Sequence, residues 1–227
     1  MRERQSVILA VRNGATYIAE AIGSALPQLF AEDEIVVIDN GSTDDTMAIV
    51  EAIGDPRVKL IEESRPGPAA ARNAGLKVAT GELVSFLDHD DRWPEGRNAG
   101  LLAALAADPQ ADDAHGRLRV LVEPGCDDQG FSARDGALMP SAVMHLHLFR
   151  RAIVDATGVM DETMRLGSDA DYLARMKQAG MRSTVYDGDA YLYRRHATNI
   201  TLDVAAKRAG SLGVLIRNLK RRRASDG

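Results

Sequence analysis

A single cysteine, Cys126, stands among 227 residues, so no disulfide can close within the chain and no thiolate cluster can hold a metal. That scarcity fits a reducing compartment. Cys126 itself sits in a Pro-, Gly- and Asp-rich stretch and reads as incidental rather than as a nucleophile. No apolar run approaches the roughly 20 residues that cross a bilayer. Met1 to Gln5 lead straight into a strand-like segment, so no signal peptide is expected. Excess positive charge is missing too: the formal net charge is -5, and a field of that sign does not favour bulk nucleic-acid binding. No strand is followed by G-x-G-x-x-G and no G-x-x-x-x-G-K-[ST] occurs, which argues against the usual dinucleotide and Walker-type sites. Internal repeats and low-complexity linkers are also lacking. The remainder is 45% hydrophobic and 27% charged. That is an ordinary globular balance, in a length suited to one large α/β domain.

What is present begins with alternation. Ser6 to Val11 is a compact apolar run, broken by Asn13-Gly14. Ala15 to Leu26 has helical spacing, with Ile18, Ala21, Ile22 and Ala25 on one face. Glu34 to Ile38 is a second buried strand ending at Asp39. Ser42 or Thr43 then caps a helix running through Ile53, with Asp44 and Asp45 in its first turn. Val58 to Glu62, Ala69 to Ala79 and Leu83 to Leu87 continue as strand, helix, strand. Such regularity implies a parallel sheet with right-handed crossovers. The second half is less regular. It offers a helix at Asn98 to Ala107, a strand at Leu118 to Val122 and a polar loop at Asp127 to Met139. Ala142 to Arg150 reads as a strand entering a helix near Ile153. A helix at Asp169 to Gln178 ends at Gly180, and two short strands follow at Thr184 to Tyr186 and Ala190 to Arg194.

The chemistry gathers at strand ends. Glu82 to Asp91 is a short apolar segment that stops in Asp88, Asp90 and Asp91. Open α/β sheets bind ligands at the carboxyl edge of their strands. Carboxylates crowded there repel one another unless a cation lies among them, and hard ions such as Mg²⁺ and Mn²⁺ take oxygen ligands shared with phosphates. A solvated acidic turn is the other reading. Asp39 ends its strand likewise, placed to accept hydrogen bonds from a base or ribose, or only to cap the next helix. Arg72, early on a helix, suits a phosphate. Asp169 has the character of a general base and Asp171 that of a helix-end charge, although spacing alone does not separate the two roles. Tyr193-Arg194-Arg195-His196 offers a metal-ligating imidazole and phosphate-binding guanidinium groups. His145 and His147 alternate on one segment. They read as packing or cleft lining rather than a zinc site, because no cysteine and no nearby third ligand completes one. The segment with Lys207, Arg208, Arg217 and Lys220 to Arg223, interleaved with Leu212, Val214, Leu215, Ile216 and Leu219, reads as an amphipathic basic helix.

These pieces occur in an order that resembles the family 2 glycosyltransferases of GT-A fold. Val7 to Gly14 looks like that family's first strand and Asn-Gly turn, with Ala10-Val11-Arg12 where Pro and Tyr are usual. Glu34 to Thr46 resembles its nucleotide-binding segment, Gly67 to Gly75 its next signature, and Gly81 to Asp91 with Trp93-Pro94 its D-x-D segment. Ser168-Asp169-Ala170-Asp171 with Arg175 is similar to the catalytic segment, with Ser168 in place of a Glu. Tyr193 to Thr201 is similar to the closing motif.

The resemblance implies a single GT-A domain over 1–203, Rossmann-like, with a mixed, mostly parallel sheet. Residues 1–97 would bind the nucleotide-sugar, 98–203 the acceptor, and 204–227 would form a basic tail. It implies an inverting transfer from a nucleoside-diphosphate sugar, commonly UDP-linked, with Asp169 as base. Val11, Asn13, Asp39, Arg72 and Asp88 would lie by the donor nucleotide. Asp90, Asp88 and His196 would hold Mn²⁺ or Mg²⁺, with Asp91, Asp171 and Arg195 as further candidates. The acceptor would be a glycan, lipid-linked or protein hydroxyl. The expected place is the cytoplasm, with a peripheral contact at the inner membrane surface through the basic tail; a solvated terminal helix is the other reading of that tail. A sugar nucleotidyltransferase would want a Gly-rich basic loop after the first strand, which Arg12-Asn13-Gly14 does not supply. A GT-A-like scaffold of weak activity rests only on Ser168 and the short middle region.

Overall fold

The computed structural model describes residues 2–124, 126, 136, 138–139, 143–199, 210, 213–218 and 221. Its framework is one sheet of eight strands: β1 (Gln5–Val11), β2 (Glu34–Asp39), β3 (Val58–Glu62), β4 (Leu83–Phe86), β5 (Asp113–Val122), β6 (Leu138–Met139), β7 (His147–Arg150) and β8 (Ser183–Arg195). The order is β3-β2-β1-β4-β7-β5-β6, with β8 paired to β5. Strands β1 to β4 are mutually parallel. β7 runs antiparallel to both β4 and β5, and β8 runs parallel to β5. So β8 runs in the same sense as β4, and both deliver their last residues to one edge.

Helices α1 (Ile18–Ala25), α2 (Thr46–Ala52), α3 (Pro68–Val78), α4 (Arg97–Ala107), α5 (Arg151–Thr157) and α6 (Ser168–Gln178) cover the sheet. Strand side chains alternate between faces, and two cores result. Val7, Leu9, Ile35 and Val37 pack with Ile18 and Ile22 of α1, Val50 of α2 and Leu101 of α4. Ile8, Val36, Ile38, Val84 and Phe86 pack on the other face with Ala71 of α3, Ile153 of α5 and Tyr172 and Met176 of α6. Helix α3 approaches very closely: a Cβ on Gly75 would lie 2.6 Å from Ile38 Cδ1 and 2.8 Å from Ile8 Cγ2. β1, β2 and β4 are buried throughout except at Ala10, as their continuous apolar runs require.

The expected mixed, mostly parallel sheet is present, and some boundaries differ. Helix α1 starts three residues later than its spacing predicts, because Gly14 O accepts from Tyr17 and Ile18 in a preceding turn. α2 starts at Thr46, where Asp44 Oδ1 accepts from the Thr46 N–H at 3.1 Å. The two short strands expected between Thr184 and Arg194 are one 13-residue strand. It passes Asp187-Gly188 by irregular pairing, with register shifts at Arg117. A Cβ on Gly116 would meet Gly188 O at 2.6 Å, so the two backbones touch there. Most of the predicted polar loop, Asp127 to Met139, lies outside the described residues, as do Thr201 and much of the basic tail.

Candidate active site

The carboxyl edge opens into a cleft of about 1060 Å³. Its walls come from Val11 to Tyr17 after β1, from Asp88 to Asp91 after β4, from the start of α3 at Gly67 to Arg72, and from 162–169 leading into α6. His196, Thr198 and Asn199 after β8 close it.

The loop after β1 is stitched to the loop after β2. Asn13 holds a positive φ of 55°, a conformation that asparagine tolerates better than most residues. Its Oδ1 accepts from Thr43 N at 2.8 Å, and its N–H donates to Ser42 Oγ at 2.9 Å. Val11 and Asn13 both line the cleft. Asp39 is placed differently from its neighbours: it is buried, and its oxygens accept from the Gly41 and Ser42 N–H groups. Asn40 takes the wall position beside it.

Arg72, buried, pairs with the part-buried Asp88. Pro68 opens α3 behind Gly67, whose φ of 114° needs glycine. One turn on, Arg72 reaches Asp88 Oδ1 at 2.7 Å, and His145 Nε2 approaches the same oxygen at 3.2 Å. Burial acts to raise the Asp88 pKa, but the charges of His145 and Arg72 outweigh it and hold the carboxyl far below the ordinary range. His145 lines the cleft, its ring tilted 35° to that of Tyr191 with centroids 5.5 Å apart.

Asp90 faces a different set. Its Oδ2 lies 3.0 Å from His196 Nε2 and 3.4 Å from Asn199 Nδ2. His196 is oriented by Thr198 Oγ1 at its other ring nitrogen, 2.8 Å away, and by the Tyr17 ring at 4.7 Å. An imidazole fixed through its second nitrogen beside a carboxylate is a donor set that suits a divalent cation. Asp91 turns inward and accepts from the Arg194 N–H at 2.7 Å. Burial, then repulsion from Asp90 and Asp88, pushes its pKa well above the usual carboxylate range. Its bond to Arg194 ties the loop after β4 to the end of β8.

On the opposite wall, α6 begins behind Gly167, whose φ is 84°. Asp169 lines the cleft and takes no hydrogen bond from the described residues. Asp171 points away, buried against Arg175 at 3.2 Å and Arg221 at 2.7 Å. The basic tail is thus partly turned inward. Arg217 joins Asp161 at 3.0 Å, while Leu215 and Ile216 stay exposed. Arg195 is buried at the end of β8. Sequence reasoning passed over Tyr17, whose hydroxyl donates to Glu123 Oε2 at 2.9 Å, and Glu20 and Glu123, which both bind Arg194. No local spacing signals these partners, which are brought together by β8. Among the described residues, no helix is long and apolar enough to cross a membrane.

The sequence model of Glycosyl transferase family 2 matches residues 6–125. The succinoglycan biosynthesis protein ExoU of Rhizobium meliloti (strain 1021) is 35% identical over 207 residues, covering 82% of this chain and 60% of that protein. The UDP-Glc:alpha-D-GlcNAc-diphosphoundecaprenol beta-1,3-glucosyltransferase WfaP of Escherichia coli is 41% identical over 92 residues, 40% of this chain and 37% of that one. Among solved structures, S. aureus TarS 1-349 in complex with UDP superposes with a TM-score of 0.68 at 25% identity, covering 85% of this chain and 60% of that one. The chain spans about three fifths of the length of relatives such as ExoU.

Proposed function

This chain belongs to glycosyl transferase family 2, and on that premise we propose that it moves a sugar from a UDP-sugar to an acceptor hydroxyl with inversion at the anomeric carbon. One observation carries the proposal: the Asp90/His196 pair and the carboxylate of Asp169, unbonded among the described residues, line the same cleft at the carboxyl edge. Asp169 takes the proton of the acceptor hydroxyl. The acceptor oxygen then attacks the anomeric carbon as the bond to the diphosphate breaks on the opposite side. Arg72, fixed on Asp88, sets a positive charge beside the nucleotide. Val11 and Asn13 border it, and Asp39 supports it from behind through the turn it holds. Asp90 and His196 fit a divalent cation, Mn²⁺ or Mg²⁺, which when bound offsets the charge of the departing diphosphate. A lipid-linked glycan is the acceptor class we favour. WfaP carries a diphosphoundecaprenol acceptor in its name, and Leu215 and Ile216 stand exposed beside Arg217.

Calorimetric titration of UDP tests the donor site, first with Mn²⁺ and then with EDTA. Binding that needs the metal and disappears in Asp90→Asn supports the assignment. UDP affinity indifferent to both changes refutes the metal site. Binding of GDP or dTDP alone moves the donor to another nucleotide.

A further inference from the structure

Outside the cleft, three groups meet where β5 crosses to β7. His115 and His147 are direct partners in the antiparallel register, and Asp113 lies two residues back on the same face of β5. His147 Nδ1 is 2.5 Å from Asp113 Oδ2, and His115 Nδ1 is 3.4 Å from that same oxygen. One ligand atom from each residue lies within 4.8 Å of the others. None of the three lines the donor cleft. The sequence hides this cluster because the carboxylate and first imidazole come more than thirty residues before His147.

A simpler account makes Asp113 a bridge between two imidazoles. It leaves one atom unexplained. His115 Nδ1 is buried, and among the described residues its 3.4 Å approach to Asp113 Oδ2 lacks hydrogen-bond geometry; an unmet buried polar atom is costly. Ser183 Oγ donates to Asp113 Oδ1 at 2.5 Å, which orients the ligand oxygen from behind. His147 is also stacked on Phe149, with ring centroids 5.0 Å apart and planes 6° from parallel.

We infer that Asp113, His115 and His147 form a second metal site, separate from Asp90 and His196, for a borderline transition ion such as Zn²⁺ or Co²⁺. Two nitrogens and one oxygen select such ions over Mg²⁺. Metal–ligand bonds of about 2.0–2.1 Å place tetrahedral ligand atoms about 3.3 Å apart. The His115 spacing already matches, and the His147 contact must open by less than about 1 Å. The His115 side chain is 30% exposed, giving an ion a way in and leaving the fourth position to solvent. Bound there, the metal fastens β5 to β7 where the sheet reverses direction, and Ser183 extends the tie to β8. This inference does not depend on the glycosyl-transfer reading.

The test strips the full chain with EDTA and titrates it with Co²⁺, read by visible absorption, and with Zn²⁺, read by calorimetry and melting temperature. One site with a nitrogen-ligated Co²⁺ spectrum is expected. It should survive Asp90→Asn, resist millimolar Mg²⁺, and weaken at least tenfold in His115→Ala. Zn²⁺ should raise the melting temperature of the wild type and not of that variant. If His115→Ala melts lower without metal, His115→Gln provides the comparison with the packing volume largely kept. Absence of Co²⁺ uptake by the wild type overturns the inference. So does uptake abolished by Asp90→Asn and unchanged in both His115 variants.

Discussion

Replacing Glu34 with Gln should cost stability in a way that pH can titrate. Glu34 begins β2 at the amino edge of the sheet, far from the cleft. Its carboxylate accepts from Ser6 Oγ at 2.6 Å, Lys59 Nζ at 2.6 Å and Thr80 N at 2.7 Å. Burial alone would raise its pKa, but these donors outweigh it and lower the value from 4.5 to about 2. A folded-state pKa below the unfolded one gives stability that is complete above pH 4.5 and is lost as pH falls through about 2. Two and a half units at 1.36 kcal/mol each is about 3.4 kcal/mol at pH 7. The same linkage leaves about 1.4 kcal/mol at pH 3. Lys59 is half in water, so screening trims both figures. Urea unfolding of wild type and Glu34→Gln, at pH 7 and at pH 3, reads the effect. With a slope of about 2–3 kcal/mol/M, the variant's midpoint should fall by about 1 M at pH 7 and by less than half that at pH 3. Other carboxylates titrate in both proteins and cancel in the comparison. A gap that stays constant across the two pH values would sink the argument, because it would mean that the lost contacts, not the ionisation, set the cost.

Three further outcomes are expected. Asp169→Asn should lower transfer about 10²–10⁴-fold with UDP affinity unchanged, measured by product formation and calorimetry; full activity would move the base elsewhere. Gly75→Ala should cost about 1–3 kcal/mol in urea, since its new methyl would lie 2.6 Å from Ile38 Cδ1; an unchanged midpoint would show that α3 can shift freely. Arg221→Ala should cost about 1 kcal/mol, because Asp171 keeps Arg175 as a partner; a melting temperature equal to that of the wild type would show that the tail contact carries no stability.

Strands β1, β2 and β4 were legible because each is a short, almost fully buried apolar run, and with the part-exposed edge strand β3 they are punctuated by Asn13-Gly14, Asn40-Gly41 and Pro66-Gly67. Their tips were legible too, since a carboxylate that ends a buried strand has nowhere to go but the ligand edge. The second half was harder. Asp187-Gly188 has the composition of a turn, yet the chain runs through it as strand, because Gly116 on the partner makes room. Asp88, Asp90 and Asp91 look alike in sequence and are three different groups in the fold, one salt-bridged, one facing an imidazole and one accepting from the Arg194 N–H. Those differences come from Arg72, His196 and Arg194, which reach them from other elements. The Asp113, His115 and His147 cluster was unreadable for the same reason.

The cleft also has an order of birth. Asp90 and His196 stand 106 residues apart in the chain, and β8 enters the sheet beside β5 as the last described strand. A nascent chain emerging at about 5–20 residues per second can pair β1 to β4 while the residues that close the site are still unmade. During those seconds Arg72 and Asp88 are already joined by local crossovers, whereas Asp90 has no imidazole to face. Tyr191 and Arg194, whose contacts with Asp88 and Asp91 span 103 residues, arrive together with His196. The pairing of Asp90 with His196 is therefore a late event in synthesis, and a chain cut short before β8 would carry the first four strands without His196.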